Sequence, residues 1–113
     1  MKLCLKRFIT LIALVSAFPV FAGGQLTATS EIKKVGFNTG GFFIYADWSN
    51  PNGCTRSHAV VLKNTDSNFD KAYSLILSAY MAGKSITGYS DGCSEFDGQT
   101  YNTIRGFKYL VVE

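Results

Sequence analysis

The sequence predicts a mainly β domain with one central helix, an α+β chain in the order β-β-β-α-β-β(-β). Three observations carry this. Short aromatic and β-branched runs recur between Gly, Asn, Pro and Ser clusters, as strands between turns require. A single stretch changes to helical spacing, with apolar residues at Phe69, Ala72, Tyr73, Ile76, Ala79 and Tyr80. Cys54 and Cys93 offer one covalent staple to a domain whose core is small.

Taken in order, Gly23 to Ser30 is small and polar and reads as a loose lead-in, and Glu31 to Asn38 as the first strand. Thr39-Gly40-Gly41 breaks it, since Gly-Gly suits a tight hairpin. Phe42 to Trp48 is the second strand, rich in residues that favour the pleated state. Ser49-Asn50-Pro51-Asn52-Gly53 is a turn cluster. His58 to Lys63 is the third strand, and short turns between three consecutive strands give an antiparallel meander.

The helix follows over residues 69–80, its apolar stripe widened by Leu75. Asp66 or Ser67 caps its start, Asp70 suits the positive first turn, and Gly83 stands where a helix stops in left-handed conformation. Lys84 to Tyr89 is the fourth strand, and Ser90 to Asn102 is a Ser-, Asp- and Gly-rich loop, with room for a short sixth strand around Asp97 to Asn102. Thr103 to Val112 closes the chain as a strand with Phe107, Tyr109 and Val111 on one alternating face. Two architectures fit this order: a small closed Greek-key barrel of the OB type, or an open antiparallel sheet with one helix across it.

The first 22 residues read as a secretory signal. Lys2, Lys6 and Arg7 make a positive head, Phe8 to Val15 an apolar run, and Val20-Phe21-Ala22 a cleavage site, giving a cut between Ala22 and Gly23 and one domain over 23–113. The run falls short of the ~20 apolar residues that span a bilayer, so no membrane span is expected after cleavage. Cys4 lies in the head, away from the cleavage site, which argues against a lipid anchor. A secreted or periplasmic location follows.

The whole chain carries 11 basic and 8 acidic residues, but three of the basic ones and none of the acidic ones lie in the leader. The domain is therefore formally neutral. Without a cluster of Lys and Arg to displace phosphate counterions, nucleic acid is not an expected partner. In an oxidising compartment, Cys54 and Cys93 pair as a disulfide. The loop so closed is worth about 4 kcal/mol in the chain-entropy account.

Gly83-Lys84-Ser85 spells the end of a phosphate-binding P-loop, but the geometry is wrong. The motif needs a second Gly five positions earlier, where Ser78 stands, and it needs a strand running into a helix. Here a helix runs into a strand, so the carbonyl end of the dipole faces the motif. His58 is the one histidine and has no nucleophile-elbow motif to serve. Asp91, Glu95 and Asp97 lack EF-hand spacing. Two cysteines and one distant histidine do not make a zinc site. No catalytic residue, metal or cofactor is expected.

Residues Phe69-Asp70-Lys71-Ala72-Tyr73 and Ala79-Tyr80-Met81-Ala82-Gly83-Lys84-Ser85-Ile86 resemble the central helix and following strand of bacterial toxin B subunits. The likeness is to the subtilase-cytotoxin and pertussis-like B subunits and, more remotely, the cholera-type ones. It extends in layout over most of residues 23–113, and in letters over about residues 67–93. This resemblance implies an OB-type barrel, a homo-oligomer (a pentamer if the likeness holds), a cell-surface glycan as ligand and a toxin A subunit as partner. The chain is shorter than the subtilase-type subunits, its cysteine pattern differs from theirs, and no sugar-contacting residue of that family maps onto a position here.

From the residues themselves, the candidate glycan site is Trp48 with Asn50, Asn52, Arg56 and Ser57. An aromatic face beside amide, hydroxyl and guanidinium groups suits the apolar C–H patches and hydroxyls of a sugar. The alternatives are a Trp that merely caps the domain's end, and a periplasmic protein that binds or inhibits another protein through a sheet edge or apolar patch.

Overall fold

A computed structural model describes residues 24–26 and 31–113. The signal segment and its cleavage site lie outside them. The elements are β1 (Gly24–Leu26), β2 (Lys34–Asn38), β3 (Gly41–Tyr45), β4 (Arg56–Lys63), α1 (Phe69–Met81), β5 (Ile86–Ser90), β6 (Cys93–Phe96), β7 (Gln99–Ile104) and β8 (Val111–Val112). The described residues are mainly β with one helix, arranged as two open sheets. One has five strands in the order β2-β3-β4-β7-β6, the other three in the order β1-β5-β8.

The meander forms as the sequence predicts, with β2, β3 and β4 antiparallel and in unbroken register. Gly40, at φ 82°, makes the two-residue turn between the first two. β4 then pairs in parallel with β7, which the helix makes possible by carrying the chain back across the sheet. With neighbours on both edges, β4 reads as a continuous buried run from Ala59 to Leu62.

Helix α1 buries Ala72, Ile76 and Ala79 at the predicted spacing. Its N-cap is Asn68, without a side-chain cap bond, rather than Asp66 or Ser67. Asp66 instead accepts from the backbone N–H of Asn68 at 2.8 Å and of Gly106 at 3.1 Å, tying the helix start to the chain after β7. At the far end Gly83, at φ 69°, donates to Tyr80 O, and Lys84 N donates to Ala79 O. That is the Schellman stop, so Gly83-Lys84-Ser85 ends a helix and cradles nothing.

Three expectations are corrected. Gly24–Leu26 is no loose lead-in: it pairs antiparallel with β5 and buries Leu26 completely. Ser90 to Asn102 is more than a loop: the short extra strand allowed around Asp97 to Asn102 is there as β7, and it forms a hairpin with β6, turned by Asp97 and Gly98 at φ 53° and 80°. Positive φ at both central residues matches the twist of the flanking strands. Thr103 to Val112 is no single strand: β7 ends at Ile104, a turn follows, and only Val111–Val112 resumes pairing, with β5. Phe107, Tyr109 and Val111, expected on one alternating face of a strand, are exposed, and only Val111 lies in a strand. The cause is tertiary. Asn68 Nδ2 donates to Gly106 O at 2.7 Å, and with the Asp66 bond this draws residues 105–110 to the helix start.

The main core lies between one face of the five-stranded sheet, α1 and the smaller sheet. It joins Phe42, Ile44, Val60, Leu62 and Ile104 to Ala72, Ile76, Ala79, Leu26 and Ile86.

Candidate functional site

The other face of the five-stranded sheet carries a second cluster. Phe43, Ala59 and Val61 are buried there beneath the half-buried rings of Tyr45, Phe96 and Tyr101, all from this sheet itself. Its origin is local: β3 reads Gly-Phe-Phe-Ile-Tyr, apolar on both faces, while α1 covers one of them. Alternation sends Phe42 and Ile44 to the helix side and Phe43 and Tyr45 to the other.

The rings interlock edge to face. Phe43 lies 5.1 Å from Phe96 and 5.0 Å from Tyr101. Cations and an imidazole extend the cluster into a belt. Lys34 Nζ stands 4.5 Å over the Tyr45 ring, and Tyr45 lies 6.1 Å from His58. Arg56 donates to His58 Nε2 at 2.7 Å, and its guanidinium lies 6.0 Å over the Tyr101 ring. A break in the β4–β7 register between Arg56 and Val60 resets the alternation along β4, so that Arg56 pairs with Tyr101 on this face. A cleft of about 300 Å³ opens at one end of the belt, with Phe43 and Tyr45 as floor and Lys34 and Asn38 as walls. Gly36 makes that opening, since nothing lies within 4 Å of where its Cβ would be.

The predicted site residues are divided by the fold. Trp48 is 7% exposed, lies in the main core and donates from Nε1 to Ile44 O at 2.9 Å, so its ring has no open face. Asn50 and Asn52 build a polar latch. Asn102, fully buried, donates to Asn50 Oδ1 at 2.7 Å and accepts from Asn52 at 2.9 Å, and Asn52 also donates to Ser90 Oγ at 2.7 Å. Asn50 further holds Cys54 through both its amide and its carbonyl oxygen. Arg56 belongs to the belt, and Ser57 is exposed beside it.

Cys54 and Cys93 form a disulfide, with Cα atoms 5.8 Å apart. It pins the β3–β4 connection to the start of β6, and Thr55 and Thr100 exchange bonds of 2.9 and 2.7 Å just beyond it. Latch, disulfide and threonine pair together fix the segment that presents Arg56. His58, the one histidine, is a member of the belt.

Two other clefts lie near the helix start, of about 380 and 270 Å³. Both border Asp66, whose carboxylate is already engaged by backbone N–H groups. Among the described residues, no group of three His, Cys, Asp or Glu side chains is placed to hold a metal ion, and no helix is long and apolar enough to cross a membrane.

Comparison with protein-family models, curated proteins and solved structures found no match.

Proposed function

We propose that this chain is a secreted, non-catalytic binding module that recognises glycan through the ring belt of its five-stranded sheet. The observation that carries the reading is the run Lys34, Tyr45, His58, Arg56 and Tyr101, joined ring to cation on a face that carries no helix among the described residues. Aromatic faces take the apolar C–H patches of a sugar, and guanidinium, imidazole and ammonium groups take its hydroxyls or a carboxylate. The supporting latch and disulfide hold these groups in place before binding, which lowers the ordering cost.

The disulfide fits an oxidising compartment, in keeping with export. The likeness to toxin B subunits adds a homo-oligomer and a toxin A subunit to the proposal. An OB-type Greek-key barrel, partly open, is the matching fold proposal. The meander, the helix after its third strand and the parallel β4–β7 join support it. A second reading, a periplasmic protein that binds another protein, draws on the exposed Phe107, Tyr109 and Val111 around the turn before β8.

The test is a glycan array followed by titration of the best ligand into wild type and Tyr45→Ala. We expect binding that falls about tenfold or more in the variant while its unfolding transition stays cooperative. Absence of any glycan ligand, with capture of a defined protein through the Phe107 surface, would replace this reading by the second.

A further inference from the structure

Strand β2 is an edge strand, and among the described residues no strand pairs with its outer side. Its register with β3 runs from Lys34↔Tyr45 to Asn38↔Gly41 across the two-residue loop. In such a hairpin the closing pair exchanges both hydrogen bonds, and bonded and non-bonded pairs alternate from there. Lys34, Gly36 and Asn38 therefore turn their peptide groups toward β3, and Val35 and Phe37 turn theirs outward. Phe37 is also 65% exposed, although its ring touches Phe42 and Tyr73 at 5.0 and 5.5 Å. An edge that combines out-turned peptide groups with an exposed aromatic ring is a template for another strand.

We propose that β2 pairs antiparallel with β2 of a second copy about a two-fold axis through Gly36, joining the two five-stranded sheets. The strand is its own complement in this arrangement, as a two-fold interface requires. Val35 falls opposite Phe37 of the second copy, so the out-turned groups of one meet those of the other as a bonded pair. A slip by one residue would set out-turned groups against in-turned ones. Opposed residues share a face, so each Phe37 ring is covered on the helix side by Val35 of the other copy. Lys34 falls opposite Asn38, so the two cations are not directly opposed. Gly36 faces Gly36, and the open space around each lets the backbones approach. If the glycan reading also holds, the two Gly36 clefts meet at the axis, and Asn38 of the second copy stands beside Lys34 at the rim.

Sedimentation and amide hydrogen exchange on the oxidised protein test this together. The expected result is a mass of two subunits, with the Val35 and Phe37 amides protected as well as that of Gly36. Phe37→Lys is expected to weaken association by about tenfold or more and to free the Val35 amide while Gly36 stays protected. A monomer with fast-exchanging Val35 and Phe37 amides overturns the proposal, as does a mass of five subunits or a dimer in which those amides exchange freely. The wild-type exchange pattern decides the matter even if Phe37→Lys does not fold. A monomer that still binds sugar removes this interface and leaves the binding reading intact.

Discussion

Asn102 shows what a single residue holds. It is fully buried and bridges Asn50 to Asn52, so removing its amide takes one hydrogen bond from each of two residues next to the disulfide. Asn102→Ala is expected to cost about 1–3 kcal/mol in urea unfolding, the loss of two buried side-chain hydrogen bonds. A cost near zero would mean that Asn50 and Asn52 find other partners. Gly106 tests packing in the same way. A Cβ there would lie 2.6 Å from Ala72 Cβ and 3.0 Å from Asn68 O, against the helix that anchors residues 105–110. Gly106→Ala is expected to lose about 1–3 kcal/mol. Gly92→Ala, where nothing lies within 4 Å, is expected to change stability by no more than about 0.5 kcal/mol. Equal effects at the two positions would contradict the packing described. Trp48 belongs to this scale too: as a core residue it is expected to cost about 3–5 kcal/mol on change to Ala, so any effect on binding arrives with a loss of fold.

At the scale of elements, the hairpin β6–β7 rests on Asp97-Gly98 at positive φ. Gly98→Ala is expected to destabilise by about 1–2 kcal/mol, the cost of a Cβ in left-handed conformation. The same element shows what was legible in the sequence. Asp-Gly is a strong hairpin signal, but the polar composition of residues 90–102 outweighed it, and a loop was expected. The helix was legible because its period is internal to the segment and Gly83 supplies its stop. The last strand was not, because alternation at Phe107, Tyr109 and Val111 cannot reveal that Asp66 and Asn68 capture Gly106. Of the candidate site, Arg56 and the disulfide were legible from local chemistry and parity. Tyr45, Phe96 and Tyr101 were not, since they come together only through the parallel β4–β7 register. One signal did exist: a strand apolar on both faces has a face that a single helix packed on the sheet cannot cover. Trp48 is the lone tryptophan, but in the segment after β3 its ring turns back into the core, held by Ile44 O.

For the whole molecule, the disulfide and the latch join the β3–β4 connection to β6 and β7, so the belt's geometry depends on covalent closure. Reduction, or Cys54→Ser with Cys93→Ser, is expected to cost about 2–4 kcal/mol and to weaken glycan binding, as the segment carrying Arg56 loosens. Unchanged affinity in the reduced, still folded protein would detach the staple from the site. The central claim is that the belt is the binding surface, and the most direct measurement is glycan affinity of wild type beside Arg56→Ala. Arg56 is partly exposed at the rim, so its loss should spare the core. The expected result is a specific glycan ligand for wild type, an affinity about tenfold or more lower in Arg56→Ala, and the same unfolding midpoint for both. A wild type that binds no glycan, or an Arg56→Ala variant that binds as tightly, would contradict it.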